Sequence, residues 1–144
     1  MESIVKDQIV SYLITHVLLS KEQHAFIAKH STVTNLLKCV HDWALSLHNR
    51  VPQDVIYFDF SHAFDCVVYS KLCIKLQIFG IDGLLLLWIC AFLSNRTQHV
   101  VVEGFPSNWV SVISGVPQGS VIGPILFLLY ADDITLAYPG SVRY

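Results

Sequence analysis

The chain has 144 residues, 53% of them hydrophobic and 14% charged, with a mean hydropathy of +0.54. That length is one domain or a piece of one, long enough to bury a core, and the composition is too apolar for a disordered chain. Lys and Arg total 9 against 11 Asp and Glu, a net charge of −2, so nothing in the composition advertises a polyanion partner.

Residues Leu84 to Asn95 and Val110 to Ala131 run without a charge. A spanning helix needs about 20 mostly apolar residues, and Gly115, Pro117, Gly119, Gly123 and Pro124 interrupt the second run, so no membrane span is expected. The first eight residues lack a basic segment and a clean apolar stretch, and no signal peptide is read. Cys39, Cys66, Cys73 and Cys90 contain no C-x-x-C, so no disulfide framework is evident and a reducing compartment is expected. A zinc site from Cys66, Cys73 and a histidine lacks the usual spacing.

In chain order, Ile4, Val5, Ile9, Tyr12, Leu13 and Val17 predict a helix over the first seventeen residues. Ser31 or Thr32 can cap a second, with Val33, Leu36, Leu37, Val40, Trp43, Ala44 and Leu47 at helical spacing, ended by Asn49-Arg50-Val51-Pro52. Val55 to Phe60 reads as a strand, apolar on both faces and hence buried. Ser70 to Phe79 predicts a short helix stopped by Gly80, and Asp82 can cap another over Leu84 to Leu93. Strands are expected over Gln98 to Val102 and Trp109 to Ile113, joined by a turn through Gly104-Phe105-Pro106-Ser107-Asn108. A Gly/Pro-rich loop, the apolar run Val121 to Tyr130 and then Asp132-Asp133 follow. Helices interleaved with a few strands make the fold class α+β.

Three features could carry chemistry. Asp132 and Asp133 are adjacent carboxylates after a long uncharged run. Side by side they repel, and the inexpensive resolutions are exposure, a basic partner or a divalent metal. Asp59 is the lone charge at the end of the expected buried strand; it reads either as a surface residue that terminates the strand or as a third carboxylate. Three such oxygens suit Mg²⁺, and two ions about 3.5–4 Å apart suit in-line displacement at phosphorus. The loop Ser114-Gly115-Val116-Pro117-Gln118-Gly119-Ser120 is either an ordinary turn into a helix or one whose glycines let the backbone approach a flat ligand, with Gln118 as its polar reach.

Taken in order, Tyr57-Phe58-Asp59-Phe60-Ser61-His62-Ala63-Phe64-Asp65, then Ser114 to Pro124, then Tyr130-Ala131-Asp132-Asp133, resemble the palm motifs of reverse transcriptases, in particular those of non-LTR retrotransposons of the LINE and jockey kind. Gln23-His24-Ala25-Phe26, Ser31 to Leu37 and Phe92-Leu93-Ser94-Asn95-Arg96 look like segments of the same family outside the palm. The resemblance implies a partial right-hand polymerase: fingers-like helices over about 1–54, a palm-like part over 55–144 with motifs at 57–65, 114–124 and 130–134, and no thumb. It implies RNA-templated DNA synthesis, with Asp59, Asp132 and Asp133 as catalytic metal ligands for two Mg²⁺ ions, Mn²⁺ being a possible substitute. It further implies Phe64 as an aromatic gate beside the ribose, although Phe64 also reads as plain core, and Gln118 and Gly119 as template and nucleotide contacts. Asp65 matches a second acid of the first motif, expected to be structural. The implied partners are an RNA template, a DNA primer and deoxynucleoside triphosphates, and the implied location is intracellular, nuclear or cytoplasmic.

The sequence also departs from the family pattern. Ala25-Phe26-Ile27 stands where Gly-Phe-Arg is usual, so the triphosphate-holding fork falls on Ile27; His30 and His62 replace basic residues, and Lys29 is near but out of place. Only residues 120–131 separate Gly119 from Asp132, so a connector and the strand entering the Asp-Asp turn are expected to be missing. The expectation is therefore an internally deleted domain without activity as an isolated chain. The alternatives are a non-catalytic remnant that at most binds nucleic acid or protein weakly, and a product that does not fold stably because apolar surface is left uncovered.

Overall fold

The computed structural model describes residues 1–20, 23–27 and 30–133. Lys29, Ile134 and the remainder of the expected palm to residue 144 lie outside the described residues. Helices α1 (Glu2–Thr15), α2 (Thr32–His48), α3 (Tyr69–Ile78), α4 (Gly83–Leu93) and α5 (Gly123–Ala131) are accompanied by strands β1 (Arg96–Gln98), β2 (Val101–Val102), β3 (Phe105–Pro106) and β4 (Val110–Val112). The α+β expectation holds as a mixture of helices with small sheets. No helix among the described residues is long and apolar enough to cross a membrane.

Helix α3 packs against both α4 and α5. Its Leu72 and Leu76 meet Leu86, Ile89 and Leu93 of α4 and Ile125, Leu126, Leu128 and Leu129 of α5 in one buried cluster, which Ile9 and Leu13 of α1 join together with Val67, Ile81, Val116 and Ile122. The end of α3 shows how sequence sets this packing. Gly80 takes φ +80°, its N–H bonds the Gln77 carbonyl, and the N–H of Ile81 returns to Leu76 at 2.9 Å, which buries Ile81. This is a Schellman closure with glycine at the left-handed position. The same closure ends α1 and α2 with Val17 and Arg50 at positive φ, residues that adopt it at a steric cost.

Glu2 reaches across the fold. Its Oε2 accepts from the N–H groups of Val121 (2.8 Å) and Ile122 (3.3 Å), so the first turn of α1 caps the start of α5. The two short sheets form one hairpin. Glu103 (φ +49°) and Gly104 (φ +86°) make a two-residue turn of the kind that matches strand twist. The expected turn through 104–108 is therefore corrected: Phe105 and Pro106 already pair with Val102 and Val101. Between this pairing and Arg96↔Val112, Thr97↔Ser111, Gln98↔Val110, the register slips by one residue. Ser107 sits at that bulge, its N–H donating to Val100 O (2.7 Å) and its Oγ accepting from Val100 N (3.0 Å).

Two further expectations are corrected. Residues 51–60 form neither strand nor helix, and Val55, Ile56, Tyr57, Phe58 and Phe60 are exposed. A strand apolar on both faces needs neighbours for its backbone groups and side chains, and none of the described strands pairs with it. Cys73 of α3 and Cys90 of α4 are joined as a disulfide, while Cys39 and Cys66 are free. The pairing follows from helix packing, which cysteine spacing does not encode.

Candidate active site

The first motif is an exposed chain that tightens into a turn. Asp59 lies in the irregular segment and is exposed. After it, the N–H groups of Asp65 and Cys66 both bond the carbonyl of His62, which takes φ +51°. His62 and Asp65 approach to 3.8 Å with both side chains exposed, a contact of little energetic weight. Phe64 is half-buried and packs against Phe127 of α5, ring centroids 4.7 Å apart, at the edge of the core.

The Gly/Pro-rich loop docks directly on this turn. Gly115 N–H donates to Val67 O (2.8 Å), Val116 N–H to Phe64 O (2.9 Å), and Ser114 Oγ to Asp65 O (2.8 Å). Gly115 is at φ +84°, and a Cβ there would stand 2.8 Å from Asp65 Cα, so only glycine permits this approach. Arg96 fixes the loop from the hairpin side: its guanidinium donates to Leu93 O, to the Tyr69 hydroxyl (2.6 Å) and to Gly115 O (2.5 Å), while the Tyr69 hydroxyl donates to Ser114 O (2.8 Å). Gln118, exposed, lines a groove of about 830 Å³ with Thr97, Gln98 and Ser111. Gly119 is exposed at φ +80° with open space around it.

The acidic pair sits at the end of α5, and the helix runs straight into it: Ala131 is the last helical residue and Asp132 its C-cap. Helix C-termini carry unsatisfied carbonyls and a negative end charge, so two carboxylates there require compensation. Lys75 of α3 supplies it. Its Nζ donates to Tyr130 O and to Asp133 Oδ1 (2.5 Å) and lies 4.9 Å from the centre of the Tyr130 ring. Asp132 is half-buried. Loss of solvent is the main influence that pushes its carboxyl above the ordinary 3.8, with Asp133 adding; a hydrogen bond from the Ser20 backbone and the charge of Lys75 pull the other way.

Lys71, Lys75, Phe60, Ser61, Tyr130 and Asp133 face one cleft of about 350 Å³, so Asp133 and the chain just after Asp59 line the same cleft. Among the described residues no three His, Cys, Asp or Glu side chains are gathered to hold a metal ion. Asp59, Asp132 and Asp133 are thus not gathered into one metal-holding group among the described residues. Sequence reading missed Lys75 and the role of Arg96. The i, i+4 spacing of Lys71 and Lys75 on one helix was a signal for a basic face, but its partner, Asp133, is 58 residues away.

Comparison with known proteins finds the same family. The family described as reverse transcriptase (RNA-dependent DNA polymerase) matches residues 1–142. The RNA-directed DNA polymerase from mobile element jockey of Drosophila melanogaster is 30% identical over 139 residues, covering 96% of this chain and 15% of that protein. The probable RNA-directed DNA polymerase from transposon X-element of the same fly is 28% identical, covering 92% and 14%. A Pol polyprotein from the type-1 retrotransposable element R2 of Popillia japonica is 26% identical over 103 residues, covering 72% and 17%. The chain thus spans about one seventh of the length of the curated relatives it matches, and no solved structure matches it. With the family match extending over nearly every residue, the chain belongs to the reverse transcriptase family of RNA-dependent DNA polymerases.

Proposed function

We propose that this chain is part of a retrotransposon polymerase whose full reaction is RNA-templated DNA synthesis, and that the 144 residues alone do not carry it out. In this reading residues 1–54 belong to the fingers side and 55–144 to the palm. Asp59, Asp132 and Asp133 are the carboxylates that serve divalent metal in the intact domain, and Phe64, Gln118 and Gly119 stand on the nucleotide and template side. RNA template, DNA primer and deoxynucleoside triphosphates are the matching partners. The observation that carries the reading is the docking of the Ser114–Gly119 loop on the Phe64–Val67 turn, through backbone bonds and a glycine that admits no Cβ. Two motifs about 50 positions apart are thereby made one surface, on a chain that matches the family over residues 1–142.

The isolated chain lacks positioning. Ile27 offers no charge for a triphosphate, the carboxylates are not gathered, and Asp133 is engaged by Lys75. A misplacement of ~1 Å can cost ~10²-fold in rate. The test is primer extension on an RNA template with Mg²⁺ and with Mn²⁺, alongside an Asp132→Asn, Asp133→Asn double variant. No extension by either protein is the expected result. Extension by the unaltered chain that the double variant abolishes would overturn the claim of inactivity. The second reading, a non-catalytic remnant, is favoured by the same Lys75–Asp133 pair, which neutralises the acidic turn without a metal.

A further inference from the structure

We infer that the Lys75 ammonium is a built-in counter-cation of the Asp132–Asp133 turn, a positioning group that holds the turn closed to a divalent ion in this chain. Two adjacent carboxylates at a helix C-terminus need a positive charge, and the fold already delivers one. The Lys75 side chain is only 23% exposed. It binds the last turn of α5 three ways: through the Tyr130 carbonyl, through Asp133 Oδ1 at 2.5 Å, and across the Tyr130 ring at 4.9 Å. The charge is placed by a rigid element, because the neighbouring Leu76 and, one turn earlier, Leu72 are fully buried against α4 and α5. No third acidic, histidine or cysteine side chain joins the pair to make a metal site among the described residues. A divalent ion that reached Asp133 would have to displace the ammonium or sit beside it, and like charges ~4 Å apart repel appreciably even in water.

The inference rests on the proposed role of Asp59, Asp132 and Asp133 in only one arm of its test. Mn²⁺ binding to the 144-residue chain is followed by water-proton relaxation for the unaltered protein, Lys75→Met and Lys75→Arg. Lys75→Met is expected to bind Mn²⁺ roughly tenfold more tightly, the scale set by removing one unit charge from a half-exposed site. Lys75→Arg should bind as the unaltered chain does, and adding Asp133→Asn to Lys75→Met should remove the gain. Equal affinity for Lys75→Met and the unaltered chain would overturn the inference, as would a gain that survives Asp133→Asn. Adding Asp59→Asn to Lys75→Met reads the site separately: a gain that persists removes Asp59 from the metal site while the Lys75 inference stands. A second measurement covers the case in which Lys75→Met does not fold. In the unaltered chain, Lys75 should acetylate several-fold more slowly than exposed Lys71 one turn away, and Asp133→Asn should narrow that difference; equal rates in the unaltered chain would overturn the inference.

Discussion

Gly115 and Gly119 stand four positions apart in the same loop, both at positive φ, and differ in what surrounds them. A Cβ on Gly115 would lie 2.8 Å from Asp65 Cα and 2.9 Å from its carbonyl oxygen, whereas one on Gly119 would meet nothing within 4 Å. Gly119→Ala should cost about 1–2 kcal/mol, the price of a left-handed backbone alone. Gly115→Ala adds a backbone clash and should cost about 2–4 kcal/mol; urea midpoints of the two variants check the difference. Asp132 yields a pH prediction. Its folded pKa lies above the unfolded 3.8, so the native state binds more protons between the two values, and stability falls as pH rises through that window. Asp132→Asn removes the penalty and can still accept from Ser20. The variant should be more stable than the unaltered chain at pH 7, by up to about 1 kcal/mol because the group is half-exposed and screened. The advantage should vanish below pH 3.8. An Asp132→Asn chain that is less stable at pH 7 would show that the carboxylate charge is a net benefit.

Among the elements, those specified by local chemistry were legible. Ser31 was identifiable as a cap, and it forms a capping box with Thr34, Thr34 N–H to Ser31 Oγ at 3.1 Å and Ser31 N–H to Thr34 Oγ1 at 2.9 Å. Gly80 stops α3 where its sequence position implied. What could not be read was pairing. Residues 55–60 carry a strand pattern, but a strand exists only with a neighbour. Lys75 and Glu2 found partners set by the packing of helices far apart in sequence, and Cys73 found Cys90 on the next helix, 17 residues on. The amphipathic pattern of α2 was equally visible, yet the helix has no buried residue, and Val33, Leu36, Leu37, Val40 and Leu47 are exposed. Periodicity marks which face seeks burial and does not supply what covers it. Ser31→Ala therefore tests whether α2 is energetically separate. Loss of the cap should weaken α2 by about 1 kcal/mol and lower hydrogen-exchange protection of its amides. The global unfolding midpoint should move by less than about 0.5 kcal/mol, as for a surface change. A matching loss of protection in α3, α4 and α5 would show that α2 is coupled to the core.

At the scale of the whole molecule, family membership and affinity for nucleic acid separate. Membership rests on the family match over residues 1–142, whereas affinity for a polyanion rests on cations free to meet phosphates. The chain has 9 Lys and Arg and a net charge of −2. Two of those cations already serve the fold: Arg96 holds the Gly115 loop and Lys75 holds the Asp133 turn, while Lys6 is paired at the surface, 3.4 Å from Asp7. Lys71 and Arg50 are exposed but belong to different helix regions, so no continuous stripe is formed from them. The groove beside Gln118 is lined by neutral residues, polar and apolar, together with Asp65 and an Arg96 already committed to backbone carbonyls. Binding to a template–primer duplex should accordingly be weak, and its logarithm should fall with log salt at a slope shallower than about −5, since each phosphate contact contributes about −0.9. Fluorescence anisotropy at several salt concentrations measures that slope. A steeper value with tight binding would mean that enough cations converge on the duplex to overcome the net negative charge. The basic residues would then have to be redistributed from the arrangement seen here, with Lys75 and Arg96 the first to be released, and the acidic turn and the Gly115 loop would loosen as the duplex bound.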